Sequence, residues 1–556
     1  MEILRSKNKV NKTLFKREYN LIKGALYLGY GINLKNSKND KKYRIVDIYK
    51  SSDMRSTHLI CLGRTRWGKT RFIERAIVDD IESGFSIFHI DPKMDYDGLE
   101  AILDAVIRTE RVDEFILFSP IYPEVSIRLN PFYQQIPDAV SDIIKAMSPS
   151  TKEDFFKEIA GELGKAVSTA LYLEGQKEVR FVDIFQYTSV DEIEKLYLRI
   201  EKADDSGEIT IGNTTLSKKQ LKIDGLLAVK KLKDKDPTYW GKVNTTLELI
   251  LSQLSTGLVG EVFGKASGNP LLEVMLEGKP FIFTAVLGSL YLGKDPASKV
   301  AKMVNAMHEK AYGFLYSKFG KLNPPISEYW DEGSVVIYDG AVEKINKVGG
   351  IGGYIHIFTQ SFSDFKMNIG EERTKVFFDN ADFMALSVID YETAKYFSDA
   401  SGTILKLRPM WDRINITAVP EMQPLIKPEY FMQMPKGAFH AFIEGSWYRG
   451  YSPMLLDRKR IIIEPLPYPE DRVVNWYAKK YNRSLQQASE EVRKYEITKD
   501  YDFIMKEKLA DMWIDLKQFP YYQNYVVPRR TNADKIIEEI KVSKLESDLD
   551  KEKSYV

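Results

Sequence analysis

The stretch GRTRWGKT at residues 63 to 70 separates Gly63 and Gly68 by four residues and follows them at once with Lys69 and Thr70. Those residue types at that spacing suit a polyphosphate. The glycines let the backbone wrap around a phosphate and turn its N–H groups inward, and a helix starting at the lysine adds the positive end of its dipole. Lys69 then neutralises β/γ oxygens and the Thr70 hydroxyl ligates Mg²⁺. Arg64, Thr65, Arg66 and Trp67 complete the loop, and Arg71 opens the helix beyond it. The whole run Gly63 to Arg71 is therefore the expected cradle for ATP.

Hydrolysis needs more than a cradle: an aspartate at the end of a neighbouring buried strand holds the hydrated Mg²⁺, and a carboxylate beside it orients the attacking water. The run SVVIYDG reads as such a strand and makes Asp339 the expected catalytic aspartate and Mg²⁺ ligand, with Asp91, closing FSIFHID, as the alternative. Gly340 follows Asp339, so the water-orienting carboxylate falls to Glu343, one helical turn on. The run YIHIFTQS sets Thr359 and Gln360 at another strand's carboxyl end, where an amide senses the γ-phosphate or positions water, though such a polar pair also occurs without function.

These groups need a sheet to hold them. Short apolar runs rich in β-branched and aromatic residues (HLICLG, FSIFHID, EFILFS, and later PFIFTAV, SVVIYD, YIHIFTQ, FMALSV, TILKLR) alternate with helical patterns, which predicts a mostly parallel α/β sheet. Phe72, Ile73, Ala76, Ile77 and Ile81 form one helical stripe, with Gly84 at the C-terminal cap. The stretch between the third and fourth runs is dominated by helical patterns and predicts an inserted all-α domain. GAFHAFIEGSWYRGYSPML reads as a hairpin on Glu444-Gly445, and the last stretch as a charged helical tail. The expected division is a basic arm and lead-in over 1–50, the nucleotide-binding domain over 51–134 and 276–425, the all-α insertion over 135–275, and a C-terminal extension over 426–556.

Composition narrows the partners. The 80 Lys and Arg against 79 Asp and Glu leave no global field for nucleic acid, so any such binding belongs to a local basic surface. A lone cysteine, Cys61, excludes an internal disulfide framework. The five histidines, His58, His89, His308, His356 and His440, have no metal-ligand spacing and are expected to be packing residues. No apolar run is long enough to cross a bilayer and no signal peptide is evident.

The segments LGRTRWGKTRFIE, HIDPKMD, DEFILFSPIYPEVSIRLNPF, GGIGGYIHIFTQSFSD, DNADFMALSVIDYETAKYFSD and MPKGAFHAFIEGSWYRGYSP together resemble, in order over roughly residues 25 to 470, the TraG/TraD coupling proteins of conjugative type IV secretion, and most closely the TraD proteins of integrating conjugative elements. The resemblance implies a RecA-like P-loop motor with an inserted all-α domain, acting as a homo-hexamer that uses ATP and Mg²⁺. It also implies delivery of relaxase-bound single-stranded DNA, as part of a relaxosome, to secretion ATPases and inner-membrane channel components, from the cytoplasmic face of the bacterial inner membrane. Gly63, Gly68, Lys69 and Thr70 map onto the family's Walker A motif, Asp339 onto its Walker B aspartate and Gln360 onto the glutamine of its TQS motif. The family's usual glutamate after that aspartate is replaced by Gly340, which predicts slow turnover. Arg373 and Arg408 are the candidates for an arginine supplied to a neighbouring subunit. Two other readings are a nucleotide-binding scaffold with little hydrolysis and a ring ATPase for double-stranded DNA.

Overall fold

Eleven strands form one sheet, and the sequence explains why its middle is parallel. In the computed structural model, which describes residues 21–34, 44–147, 154–234, 248–411, 416–455, 462–464, 470–498, 513–519 and 521, the strands are β1 (Leu26–Asn33), β2 (Val46–Lys50), β3 (Leu59–Gly63), β4 (Ser86–Asp91), β5 (Phe115–Phe118), then, past a helical region holding β6 (Glu208–Ile211) and β7 (Thr214–Ser217), β8 (Ile282–Val286), β9 (Ile326–Trp330), β10 (Gly353–Thr359), β11 (Asp382–Leu386), β12 (Thr403–Trp411), β13 (Ile416–Pro424), β14 (Ala438–Ile443) and β15 (Ser446–Tyr451). Residues 1–20 of the basic arm and the charged tail read from the sequence lie outside the described residues. The sheet order is β2-β1-β15-β14-β11-β3-β10-β9-β4-β8-β5. From β11 to β5 every neighbour is parallel, while β14, β15, β1 and β2 extend the β11 edge antiparallel.

The central strands are buried on both faces, which is why they read as unbroken apolar runs. Alternate residues serve two cores: Leu59 and Cys61 of β3 pack with the stripe Phe72, Ala76 and Ile77, whereas Ile60 and Leu62 face the opposite core with Phe88 and Phe283. Helix α1 (Lys69–Glu82) covers the first face beside α2 (Tyr96–Arg108), and Gly84 at φ +86° takes the left-handed position past its end. The helix Lys294–Phe319 covers the second face.

Between β5 and β8 lie α3 (Pro137–Ala146), α4 (Asp154–Leu173), α5 (Phe181–Phe185), α6 (Val190–Lys202) and α7 (Lys218–Lys233). Pro137 opens α3 and the Ser189 hydroxyl caps α6 by accepting from Glu192 N–H. A Cβ on Gly164 would sit 2.2 Å from Ile144 Cδ1, so the Ile144 side chain of α3 packs into the space that glycine leaves on α4. The region is not purely helical: β6 and β7 form a hairpin turning at Gly212, φ +58°.

Two expectations are corrected here. SVVIYD is not a strand: Gly333–Val336 is a short helix and Asp339 lies in the connection to the helix Ala341–Lys347. TILKLR is a strand, but it belongs to the separate antiparallel ribbon β12–β13 and not to the sheet. The hairpin β14–β15 turns at Glu444 and Gly445, both at positive φ, and is a full member of the main sheet. No helix among the described residues is long and apolar enough to cross a membrane.

Candidate nucleotide-binding site

The phosphate loop stands between β3 and α1 at the carboxyl edge of the parallel strands. Its shape depends on its glycines. A Cβ on Gly63 would meet the Leu386 carbonyl at 2.5 Å, and Gly68 sits at φ +117°. Arg66 adds a left-handed residue at φ +66°. The loop is tied down from outside: Arg64 N–H donates to Ser387 O at 3.0 Å, Trp67 Nε1 to Met434 O at 2.8 Å, and Gly437 N–H to Trp67 O at 3.1 Å. The Arg64 guanidinium lies 4.6 Å from the centre of the Trp67 ring. Thr65 and Thr70 are exposed, and Arg71 is held by Glu74 and Asp97, turned away from the loop's mouth.

Lys69 folds back to donate to the Gly63 carbonyl and forms no ion pair among the described residues. Burial lowers its pKa, opposed by nearby anionic groups that include Asp331 and Glu332. A desolvated ammonium parked on a backbone carbonyl is poised for an anion.

The acidic partner comes from β9. Trp330 pairs in register with Ile90, and Asp331 N–H donates to Ile90 O at 3.0 Å, so Asp331 is level with Asp91 at the ends of adjacent strands. Burial pushes both carboxyls up, Asp91 to about 7 with the charge of Asp331 adding to the effect, and Asp331 to about 6. Beneath them is a cavity lined by Thr70, Glu74, His89, Asp91, Thr284 and Asp331, among others. Two atoms buried in its walls, His89 Nδ1 and Thr284 Oγ1, have no hydrogen-bond partner among the described residues. The Asp91 and Asp331 carboxylates with the Thr70 and Thr284 hydroxyls supply the oxygen donors that suit a hydrated Mg²⁺.

Glu332 follows Asp331, in the left-handed region at φ 48° and ψ 54°. Its N–H donates to Asp331 Oδ1 at 2.9 Å, and its carboxylate pairs with Lys93. Between β9 and β3 runs β10, whose Thr359 is opposite Leu62, so Gln360 stands exposed, level with Gly63. Lys69, Thr70, Asp331, Glu332, Asp91 and Gln360 thus share one edge of four neighbouring strands.

Asp339 and Glu343 are not part of this set. Asp339 ion-pairs with Lys157 of α4 and with Arg373 at 2.8 Å, bracing the helical region against the sheet domain. Glu343 is largely exposed and pairs with Lys347 at 2.7 Å. Asp339 misses the site because the chain has already left the sheet at Trp330. The overlooked strand, ISEYW, carries Ser327 and Glu328 inside it, and no apolar run announces it. Its signal was the Asp-Glu pair directly after two aromatic residues.

The family described as "TraM recognition site of TraD and TraG" matches residues 325–436, the segment that contains β9, β10 and β11. No curated protein sequence matches the chain. Among solved structures, the unbound bacterial conjugative coupling protein TrwBdeltaN70 superposes with a TM-score of 0.54 at 13% identity, covering 81% of this chain and 99% of that one. TrwB with the GTP analogue GDPNP gives 0.54 at 15% identity, covering 78% and 95%, and TrwB with ADP and Mg²⁺ gives 0.50 at 12% over the same shares. The fold is thus that of a RecA-like P-loop NTPase with a helical domain. The family match falls on the segment that holds β9, β10 and β11, and the fold is shared with TrwB over about four fifths of the chain, so the chain is similar to TraD and TraG proteins in both respects.

Proposed function

We propose that the chain is an ATP-driven coupling ATPase of conjugative type IV secretion, delivering relaxase-bound single-stranded DNA to the secretion channel as a ring. The observation that carries the hydrolytic part is the convergence of the phosphate loop with Asp331 and Glu332 on one sheet edge. In this reading the loop's N–H groups and Lys69 bind the phosphates, while Thr70 and Asp331 hold Mg²⁺, which neutralises phosphate charge when bound. Glu332 accepts the proton of the attacking water, and Gln360 orients that water or senses the γ-phosphate. Asp91 supports the metal's water shell from the neighbouring strand. The ground for a non-hydrolysing scaffold was Gly340 after Asp339; the pairing of Asp339 with Lys157 and Arg373 supports Asp331, followed by Glu332, as the catalytic aspartate instead.

The helical region between β5 and β8 is, in this reading, the face offered to relaxosome or channel, and the protein works at the cytoplasmic side of the inner membrane. Arg373 is engaged by Asp339 within its own chain and would have to leave that pair to reach a neighbour. The TrwB structures with GDPNP, and with ADP and Mg²⁺, support a nucleotide and Mg²⁺ in this fold.

The test is steady-state ATP hydrolysis by the purified chain with and without single-stranded DNA, beside Lys69→Ala and Asp331→Asn. DNA-stimulated turnover lost in both variants is expected. ATP turnover unchanged in Lys69→Ala would sink the site assignment, and tighter competition by duplex than by single-stranded DNA would move the reading to a double-strand pump.

A further inference from the structure

Lys93 is the cation that pairs with Glu332 at the sheet edge. It stands in the loop after β4, where its N–H donates to Asp91 Oδ1 at 2.8 Å, and the neighbouring Pro92 carbonyl accepts from Ser289 N–H at 2.8 Å. The loop is therefore pinned to the ends of β4 and β8, and it presents the ammonium across the sheet edge to Glu332. The backbone of Glu332 is fixed as well, by its own N–H on Asp331 and by Val335 N–H donating to its carbonyl at 2.7 Å. Only side-chain torsions remain to bring the Glu332 carboxylate to the loop or away from it.

We propose that Lys93 is a positioning residue that latches the Glu332 carboxylate away from the attacking water, so that the site binds nucleotide at full strength but turns over below its capacity while the ion pair is closed. This rests on the reading of Asp331 and Glu332 as the hydrolytic pair. A carboxylate engaged by an ammonium has spent its best acceptor geometry on that cation, and a water must then compete for it. The other charged groups facing Glu332 are Lys69 from the phosphate loop and Asp331 beside it. Lys69 is occupied by the Gly63 carbonyl, and Asp331 repels Glu332 toward Lys93. The Lys93 side chain is 47% exposed, so the latch is weak and easily opened.

The test compares the full chain with Lys93→Met, Lys93→Arg and Lys93→Met/Glu332→Gln, measuring kcat at saturating ATP without DNA and the Kd of a fluorescent ATP analogue. Lys93→Met is expected to raise kcat about two- to fivefold, the range of a half-exposed ion pair, with Kd changed less than about twofold. Lys93→Arg, which keeps a cation, should restore the wild-type rate, and the double variant should not turn over. A fall or no change in kcat for Lys93→Met with Kd intact overturns the latch, as does a double variant that still hydrolyses. So does normal ATP binding with no turnover in either wild type or Lys93→Met. Absence of ATP binding by the wild type overturns the site assignment instead, so the two failures are told apart. Should Lys93→Met be unstable, Lys93→Gln carries the same expectations.

Discussion

Two aspartates eight positions apart now carry opposite expectations. Asp331→Asn removes the carboxylate that would hold Mg²⁺ in the proposed site and should lower ATP turnover by at least about a hundredfold, in line with losing a group used in the transition state. Asp339→Asn should leave turnover within about twofold and cost at most about 1 kcal/mol, because its ion pairs are partly solvated. Circular dichroism and steady-state hydrolysis on both variants check this, and a large loss of turnover in Asp339→Asn would restore the assignment made from the sequence alone. The spacing of Gly63, Gly68, Lys69 and Thr70 was legible because phosphate chemistry dictates it. Asp331 was not, because its strand hides a charge. Glu328 is fully buried, its carboxylate 2.7 Å from the Lys344 ammonium. Burial pushes that carboxyl up, but Lys344 and His308 outweigh it and hold it well below the usual range. A strand satisfied by partners sixteen and twenty residues away in the chain looks, in sequence, like a loop.

Strands and their connections set the tolerance of the site. β3 approaches β11 so closely at its end that Gly63 has no room for a methyl group. Gly63→Ala is expected to cost about 1–3 kcal/mol of stability by overpacking and to weaken nucleotide binding, read by chemical denaturation and by ligand titration; a variant of unchanged stability and affinity would show that β11 gives way. The parallel strands were legible as apolar runs because both faces are covered. SVVIYD misled for the same reason: Val336 and Ile337 are fully buried, but in a helical turn and the connection after it. Apolar runs report burial before they report strand. The hairpin at Glu444-Gly445 was readable because two consecutive left-handed residues admit few sequences, whereas its place in the main sheet depends on pairing with β1, some four hundred residues earlier.

Acid should unfold this protein through its histidines. All five are buried, and burial lowers the pKa of His58, His89 and His308 to about 4 and of His356 and His440 to about 3. The unfolded chain binds their protons below about pH 6.5 while the folded chain does not, so stability rises with pH across this window and falls as pH drops from about 6.5 toward 4. The five histidines together contribute a slope of up to about 7 kcal/mol per pH unit at its steepest, which the raised Asp91 and Asp331 carboxyls, protonated in the folded chain first, partly offset. Denaturation midpoints at pH 7, 6 and 5 check it; a flat profile would mean that the histidines protonate without unfolding the chain.

The thiol of Cys61 lies in β3, at the centre of the sheet and two residues before the phosphate loop. Burial raises its pKa to about 12, so it does not react while the strand is closed. As the chain's single cysteine, it turns alkylation into a clock: each labelled molecule records one opening of the innermost strand, with no background from other thiols. Nucleotide that clamps the loop should slow that clock in proportion to its occupancy, and ADP and ATP can be compared by the rate at which one sulfur is lost.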